Sequence, residues 1–262
     1  MRIAVCLYGL VGSTGKKYGQ GKSLNPKIAF NLYKKNFFKQ YKNLDIFIHS
    51  TSKNFEKKIV KIYKPKDYLI EYSKNFTYKI FLHRQFLFFL ITLPIQIFIK
   101  KNAFSKFVGK FKMVKNSYSR YYSMYKVVQL KKNYEEKNKL KYDYVFLGRL
   151  DWSFFTPVKI SNKMRGKFVL SHNNDIPSPR DNYTDKLKRN NNISKGLACD
   201  WFISSSNNIN KYSSLFFKYK YYFVSPHMCS KQHCEKLKLK YFFYKYRVYD
   251  HNAIRRISKS EE

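Results

Sequence analysis

The chain has 262 residues, 44% of them hydrophobic and 19% aromatic, which suits one large α/β domain and excludes wholesale disorder. Its 53 Lys plus Arg stand against 16 Asp plus Glu, a formal net charge of +37. Such a surface attracts polyanions (anionic lipid, nucleic acid, phosphorylated small molecules). An A+T-rich coding sequence accounts for much of the lysine but not for the shortage of acids, so each remaining Asp becomes a candidate for work. Four cysteines (Cys6, Cys199, Cys229 and Cys234) form no convincing disulfide framework and fit a reducing compartment.

Residues 3–8 (IAVCLY) form a short apolar run ending at Gly9, the pattern of a first buried parallel strand rather than a signal peptide. Gly12, Gly15, Gly19 and Gly21 lie in a lysine-bearing loop. Asn25-Pro26 then starts a helix, with Pro in its first turn and Ala29, Tyr33, Phe37 and Tyr41 along one apolar face. Residues 44–49 (LDIFIH) are the second strand and 68–72 the third. Strand, glycine loop, helix, strand opens a Rossmann-type, mostly parallel sheet with flanking helices.

Residues 80–116 break that rhythm. From Phe86 to Ile99 no residue is charged, and His83-Arg84 and Lys100-Lys101 bracket the run. Fourteen residues with Pro94 among them are too short for a bilayer span of about 20. Phe104, Phe107, Val108 and Phe111 follow among lysines. The insertion reads as contact with a membrane interface, ahead of the alternative of a helix buried in the core. The α/β pattern resumes at Ser117 with a helix reaching about Lys137, then strands at 142–147, 168–171, 201–204 and 221–224. Residues 172–196 read as a long loop of the kind kept for function, and residues 249–262 as a basic tail beyond a single 1–248 domain.

The strand at 142–147 runs into Gly148-Arg149-Leu150-Asp151, delivering an Arg and an Asp to its carboxyl end, where open α/β sheets bind ligands. Alternation along an extended strand leaves Arg149 and Asp151 on one face. Asp151 suits a divalent cation on a diphosphate and Arg149 the phosphate itself, against the plainer reading of a capping acid and a surface arginine. Asp200-Trp201 offers a carboxylate for an acceptor hydroxyl and a ring for a sugar face; a core Trp with a capping Asp competes equally. Gly21-Lys22-Ser23 copies the end of a P-loop, but the glycine that pattern needs falls at Lys16. Lys22, with Gly9 at the end of the first strand, remains a donor-phosphate candidate. His227 is assigned to a strand end as a metal ligand or phosphate contact, with an idle surface histidine the alternative. The cluster His227, Cys229, His233 and Cys234 lacks the second knuckle of a zinc site. Asp175, with Asp181 and Asp185, is an acceptor candidate in the long loop.

The segments IAVCLYG, LDIFIHS, SRYYSMYKVVQLKKNYEEK, YDYVFLGRLDW and CDWFISSSNNINKYSSLF resemble bacterial polysaccharide and lipopolysaccharide glycosyltransferases with a GT-A-like fold. The resemblance covers most of the chain outside residues 73–116. It implies sugar transfer from a nucleotide-sugar to a lipid-linked or polysaccharide acceptor; the unpaired cysteines and the basic-flanked insertion lead to the expectation of a cytoplasmic protein peripheral to the inner face of the membrane. Asp151 would take the metal- or donor-binding position and Asp200 the catalytic acid position. The usual Asp-x-Asp has Arg149 as its first member here, which puts dependence on Mn or Mg in question. Two other classes compete: a basic nucleic-acid-binding protein, though no specific nucleic-acid motif is present, and a P-loop-like sulfo- or phosphotransferase resting on Lys22.

Overall fold

The computed structural model describes residues 1–11, 25–99, 102–171, 196–244 and 251–253. β1 (Ile3–Gly9) alternates its side chains between two buried faces: Ile3, Val5 and Leu7 on one, Ala4, Cys6 and Tyr8 on the other. A strand apolar on both sides needs helices on both faces, and the chain supplies them. Asn25 caps α1 (Pro26–Asn36), its Oδ1 accepting from Lys27 N at 3.1 Å, and Ala29, Tyr33 and Phe37 pack onto the Ile3 face. β2 (Leu44–Ser50), α2 (Glu56–Tyr63) and β3 (Asp67–Ile70) complete the first half.

After a single turn, α3 (Thr77–Ile80), comes a helical hairpin of α4 (Arg84–Ile99) and α5 (Ala103–Lys137). The second helix begins fourteen residues earlier than the pattern from Ser117 implied, because only Gly109 interrupts helix-forming sequence before it. Its later turns carry Val114, Tyr118, Tyr121, Val127 and Val128 onto the Cys6 face of the sheet. The insertion is not a core helix: Phe86 is buried against Phe107 and Phe111, but most of α4 faces outward. No helix among the described residues is long and apolar enough to cross a membrane.

β4 (Tyr144–Arg149), β5 (Trp152–Phe154), β6 (Phe168–Ser171), β7 (Trp201–Ser204), α6 (Ser206–Ser213), α7 (Leu215–Lys218), α8 (Pro226–Lys236), β8 (Tyr241–Tyr244) and β9 (His251–Ala253) follow. The seven-stranded sheet runs β3-β2-β1-β4-β7-β6-β8, with β7 reversed against both neighbours and the other pairings parallel. β5 pairs with β9, so residues 251–253 of the expected tail are part of the fold.

The strand expected at 221–224 is absent. Tyr219–Tyr221 is a 3-10 turn; Val224 N donates to Gln85 Oε1 at 2.6 Å and Val224 O accepts from Tyr219 OH at 2.9 Å. Those backbone groups are satisfied by side chains instead of a sheet ladder, and the edge position goes to β8.

Candidate active site

The chain order reverses between β1 and β4: β2 and β3 extend the sheet to one side, and β4 begins the other. That is the topological switch point of an open α/β sheet, and ligands bind outside the carboxyl ends there. Tyr8 of β1 lies opposite Arg149 of β4, and Leu150 N donates to Tyr8 O at 2.9 Å, so the ladder continues to the strand ends. Gly9 sits at φ +100°, a conformation that an L side chain rarely adopts. Because β7 is reversed, its amino end falls beside β4's carboxyl end, with Gly148 opposite Trp201. The reversal therefore brings Asp200 to Arg149.

Arg149 grips Asp151 with two bonds, Nε to Oδ1 at 2.8 Å and Nη2 to Oδ2 at 2.6 Å, the fork geometry of a strong arginine–carboxylate pair. Its Nη1 reaches Asp200 Oδ1 at 3.4 Å. Arg120, from the middle of α5, approaches the same Asp200 oxygen at 3.9 Å and donates from Nη1 to Cys199 Sγ at 2.7 Å. Two guanidiniums thus flank one carboxylate. Burial opposes charge on Arg149 and Arg120, but their anionic neighbours outweigh it and raise both pKa values. The cluster is braced from outside: Tyr33 OH donates to Arg149 O at 2.8 Å, Tyr8 OH donates to Cys199 O at 3.3 Å, and the Arg149 guanidinium stands 5.6 Å from the Trp152 ring centroid.

His227 lies in the first turn of α8, not at a strand end. Its Nδ1 is 2.9 Å from Leu197 O and 3.7 Å from Cys199 Sγ. Burial works against a thiolate at Cys199, but Arg120 and then His227 overcome it and lower the thiol below its ordinary range. The approach of residues 196–199 to α8 depends on Gly196, at φ +98°, where a Cβ would collide with the His227 backbone. Gly196→Ala is expected to cost about 1–3 kcal/mol through strain and displaced backbone. A thermal melt reads this directly; an unchanged melting temperature would show that the segment can move aside freely.

Of the sequence candidates, Gly9, Arg149, Asp151 and Asp200 come together, and His227 stands at the edge through Cys199. Lys22 and Asp175, with Asp181 and Asp185, lie outside the described residues, as do the glycine loop and the long 172–195 segment. Trp201 needs correcting. Its side chain is 0% exposed and packs against Phe146, Phe154 and Tyr244 in the core, so it has no face to offer a sugar. Cys229 and Cys234 are buried, and His233 is held at Nε2 by Tyr212 O (3.1 Å) and at Nδ1 by Tyr222 OH (3.2 Å), which is core packing and not a zinc knuckle.

At Asp151 the carboxylate is already engaged. Both Asp151 oxygens are bridged by Arg149, and among the described residues no three of His, Cys, Asp and Glu gather as ligands. Arg120 was missed by sequence reasoning. Its signal was a basic residue sharing the buried helical stripe of Ser117, Met124 and Val127. No protein-family model matches the chain, and no curated protein matches it.

Proposed function

We propose that this chain is a glycosyltransferase of GT-A-like fold, moving a sugar from a nucleotide-sugar to a lipid-linked or polysaccharide acceptor. One observation carries the reading: two arginines and two aspartates meet at the switch point of a mostly parallel sheet, beside a glycine in a left-handed conformation. The seven-stranded sheet with its one reversed strand supports the fold assignment. The GRLD and CDW segments that carry the family resemblance converge on this same cluster.

The chemistry follows from the charges. In an inverting displacement the acceptor oxygen bonds to the anomeric carbon as the bond from that carbon to the donor's phosphate oxygen breaks. The departing nucleoside diphosphate keeps the electron pair. In this reading Arg149 and Arg120 face the developing charge, and fixed cations in a site shielded from water stabilise it more than mobile ones. Asp200 accepts the acceptor's hydroxyl proton. Asp151 holds Arg149 in position through both oxygens. In this scheme guanidinium groups supply the positive charge that the family's first aspartate would bring through a metal ion. A cytoplasmic position against the inner membrane face belongs to the same reading, supported by the exposed apolar and basic hairpin.

The test is a set of thermal melts against UDP-, GDP-, CMP- and dTDP-sugars and their free nucleotides, with and without manganese. At a hundred times its dissociation constant a ligand adds about 2.7 kcal/mol, or a rise of roughly 5–10 °C. One nucleotide should give that rise with or without manganese, and Arg149→Ala should abolish it. If no nucleotide moves the melting temperature under either condition, the proposal fails.

A further inference from the structure

We infer that the α4–α5 hairpin is a surface that lies in the interface of an anionic lipid bilayer, with α4 partly sunk among the headgroups and not spanning. The apolar side chains of α4 are unevenly placed. Phe88, Ile91, Ile95, Phe98 and Ile99 are 62%, 74%, 63%, 95% and 71% exposed, and their spacing of three and four residues sets them along one helical stripe. Phe104, at the start of α5, is likewise 62% exposed. The opposite side of α4 anchors the hairpin through Phe86 and Phe89, so the stripe is a face left over after the fold has been completed. A contiguous apolar face of this kind marks a binding surface.

Charge identifies what covers it. From residue 72 to residue 134 the chain carries thirteen Lys or Arg and no Asp or Glu. Lys106, Lys112 and Lys115 are exposed on the first four turns of α5, the helix that packs against α4. A folded partner or a second copy of this chain would have to bring many acids, and this chain has few to offer. An anionic bilayer offers both chemistries together, a phosphate layer for the lysines and hydrocarbon just beneath it for Phe and Ile. Length fixes the mode of contact. The sixteen residues of α4, which continue through Pro94, reach roughly 24 Å, short of a hydrocarbon core of about 30 Å. A helix too short to cross, packed on α5 by one apolar side and exposing another, lies in the interface plane. This inference deepens the membrane position given under the proposed function, and its test is separate from that of sugar transfer: nucleotide binding can fail with vesicle binding intact, and the reverse.

The experiment is flotation of the purified full chain with vesicles of phosphatidylcholine alone and of phosphatidylcholine mixed with phosphatidylglycerol. The wild type should float with the anionic vesicles and much less with the neutral ones. Ile91→Ser with Phe98→Ser keeps every charge and should weaken binding by about a hundredfold or more, since each buried side chain contributes a factor of ten or greater. Lys112→Gln with Lys115→Gln should weaken only the anionic binding, by roughly fivefold per lysine. All of these side chains are exposed, so both variants should melt with the wild type. Three outcomes would overturn the inference. The wild type could fail to float. The Ser variant could float as well as the wild type, leaving only diffuse charge attraction. Light scattering could show a wild-type dimer that the Ser variant splits, assigning the face to a second copy.

Discussion

Replacing Lys131 by methionine is expected to lower stability by about 3–5 kcal/mol, a fall of roughly 10 °C in melting temperature. Lys131 is fully buried, and its Nζ uses three donors at once: to Glu135 Oε2 (2.7 Å), Ser206 Oγ (2.6 Å) and Asn210 Oδ1 (2.7 Å). These bonds tie α5 to α6 under the Cys6 face of the sheet. Glu135 also accepts from Ser206 Oγ at 2.9 Å and from Tyr142 N at 3.0 Å, so it fixes the chain's entry to β4 as well. Methionine matches the lysine stem in volume and leaves the carboxylate as a buried charge without its cation. Removing one partner of such a pair costs far more than the pair is worth. The double variant Lys131→Met, Glu135→Gln should recover most of the loss, because the amide oxygen can still accept from Tyr142 N. Equal instability of the single and double variants would mean that packing, not charge, holds this junction.

What the sequence disclosed and what it hid follow from the same physics. β1, β6 and β7 were readable because a strand buried on both faces is a nearly continuous apolar run, as at 3–8, 168–171 and 201–204, and β2 was readable from Leu44, Ile46, Phe47 and Ile48 although Asp45 and His49 interrupt its apolar sequence. The aromatic stretch at 221–224 carries the same signature for another reason: Tyr222 and Val224 fill the core from a turn whose backbone bonds go to Gln85 and Tyr219. Periodicity cannot separate the two cases in four residues. Within the site, the i, i+2 spacing of Arg149 and Asp151 was expected to put both on one face of an extended strand, but β4 ends at Arg149 and Asp151 lies in the turn that follows, from which it meets the guanidinium. That spacing did not disclose that the two side chains would take each other as partners. Arg120 and Cys199 come from elements 79 residues apart, and only the reversed β7 and the long α5 bring them to contact. Trp201 was ambiguous in sequence because the same ring suits a sugar face and a core, and burial decided it.

Under the proposed sugar transfer, Asp200→Asn is expected to lower kcat by a factor on the order of 10²–10⁴, the usual loss when a positioned base is removed. The substitution removes the proton acceptor and little else. The side chain is 15% exposed and its contacts to Arg149 and Arg120 are long, at 3.4 and 3.9 Å, so stability should change by about 1 kcal/mol or less. The asparagine oxygen can still accept from Arg149, and the Arg149–Asp151 fork is untouched. Nucleotide-induced stabilisation should therefore survive while turnover collapses, which separates base catalysis from donor binding. Asp151→Asn predicts the opposite balance: one carboxylate charge lost beside a buried guanidinium, Arg149 free to swing, and the nucleotide shift lost with it. The two variants need only a melt and a turnover assay on the same preparations. An Asp200→Asn enzyme that keeps its kcat would remove Asp200 from the reaction. A variant that loses the nucleotide shift instead would make Asp200 part of the donor site.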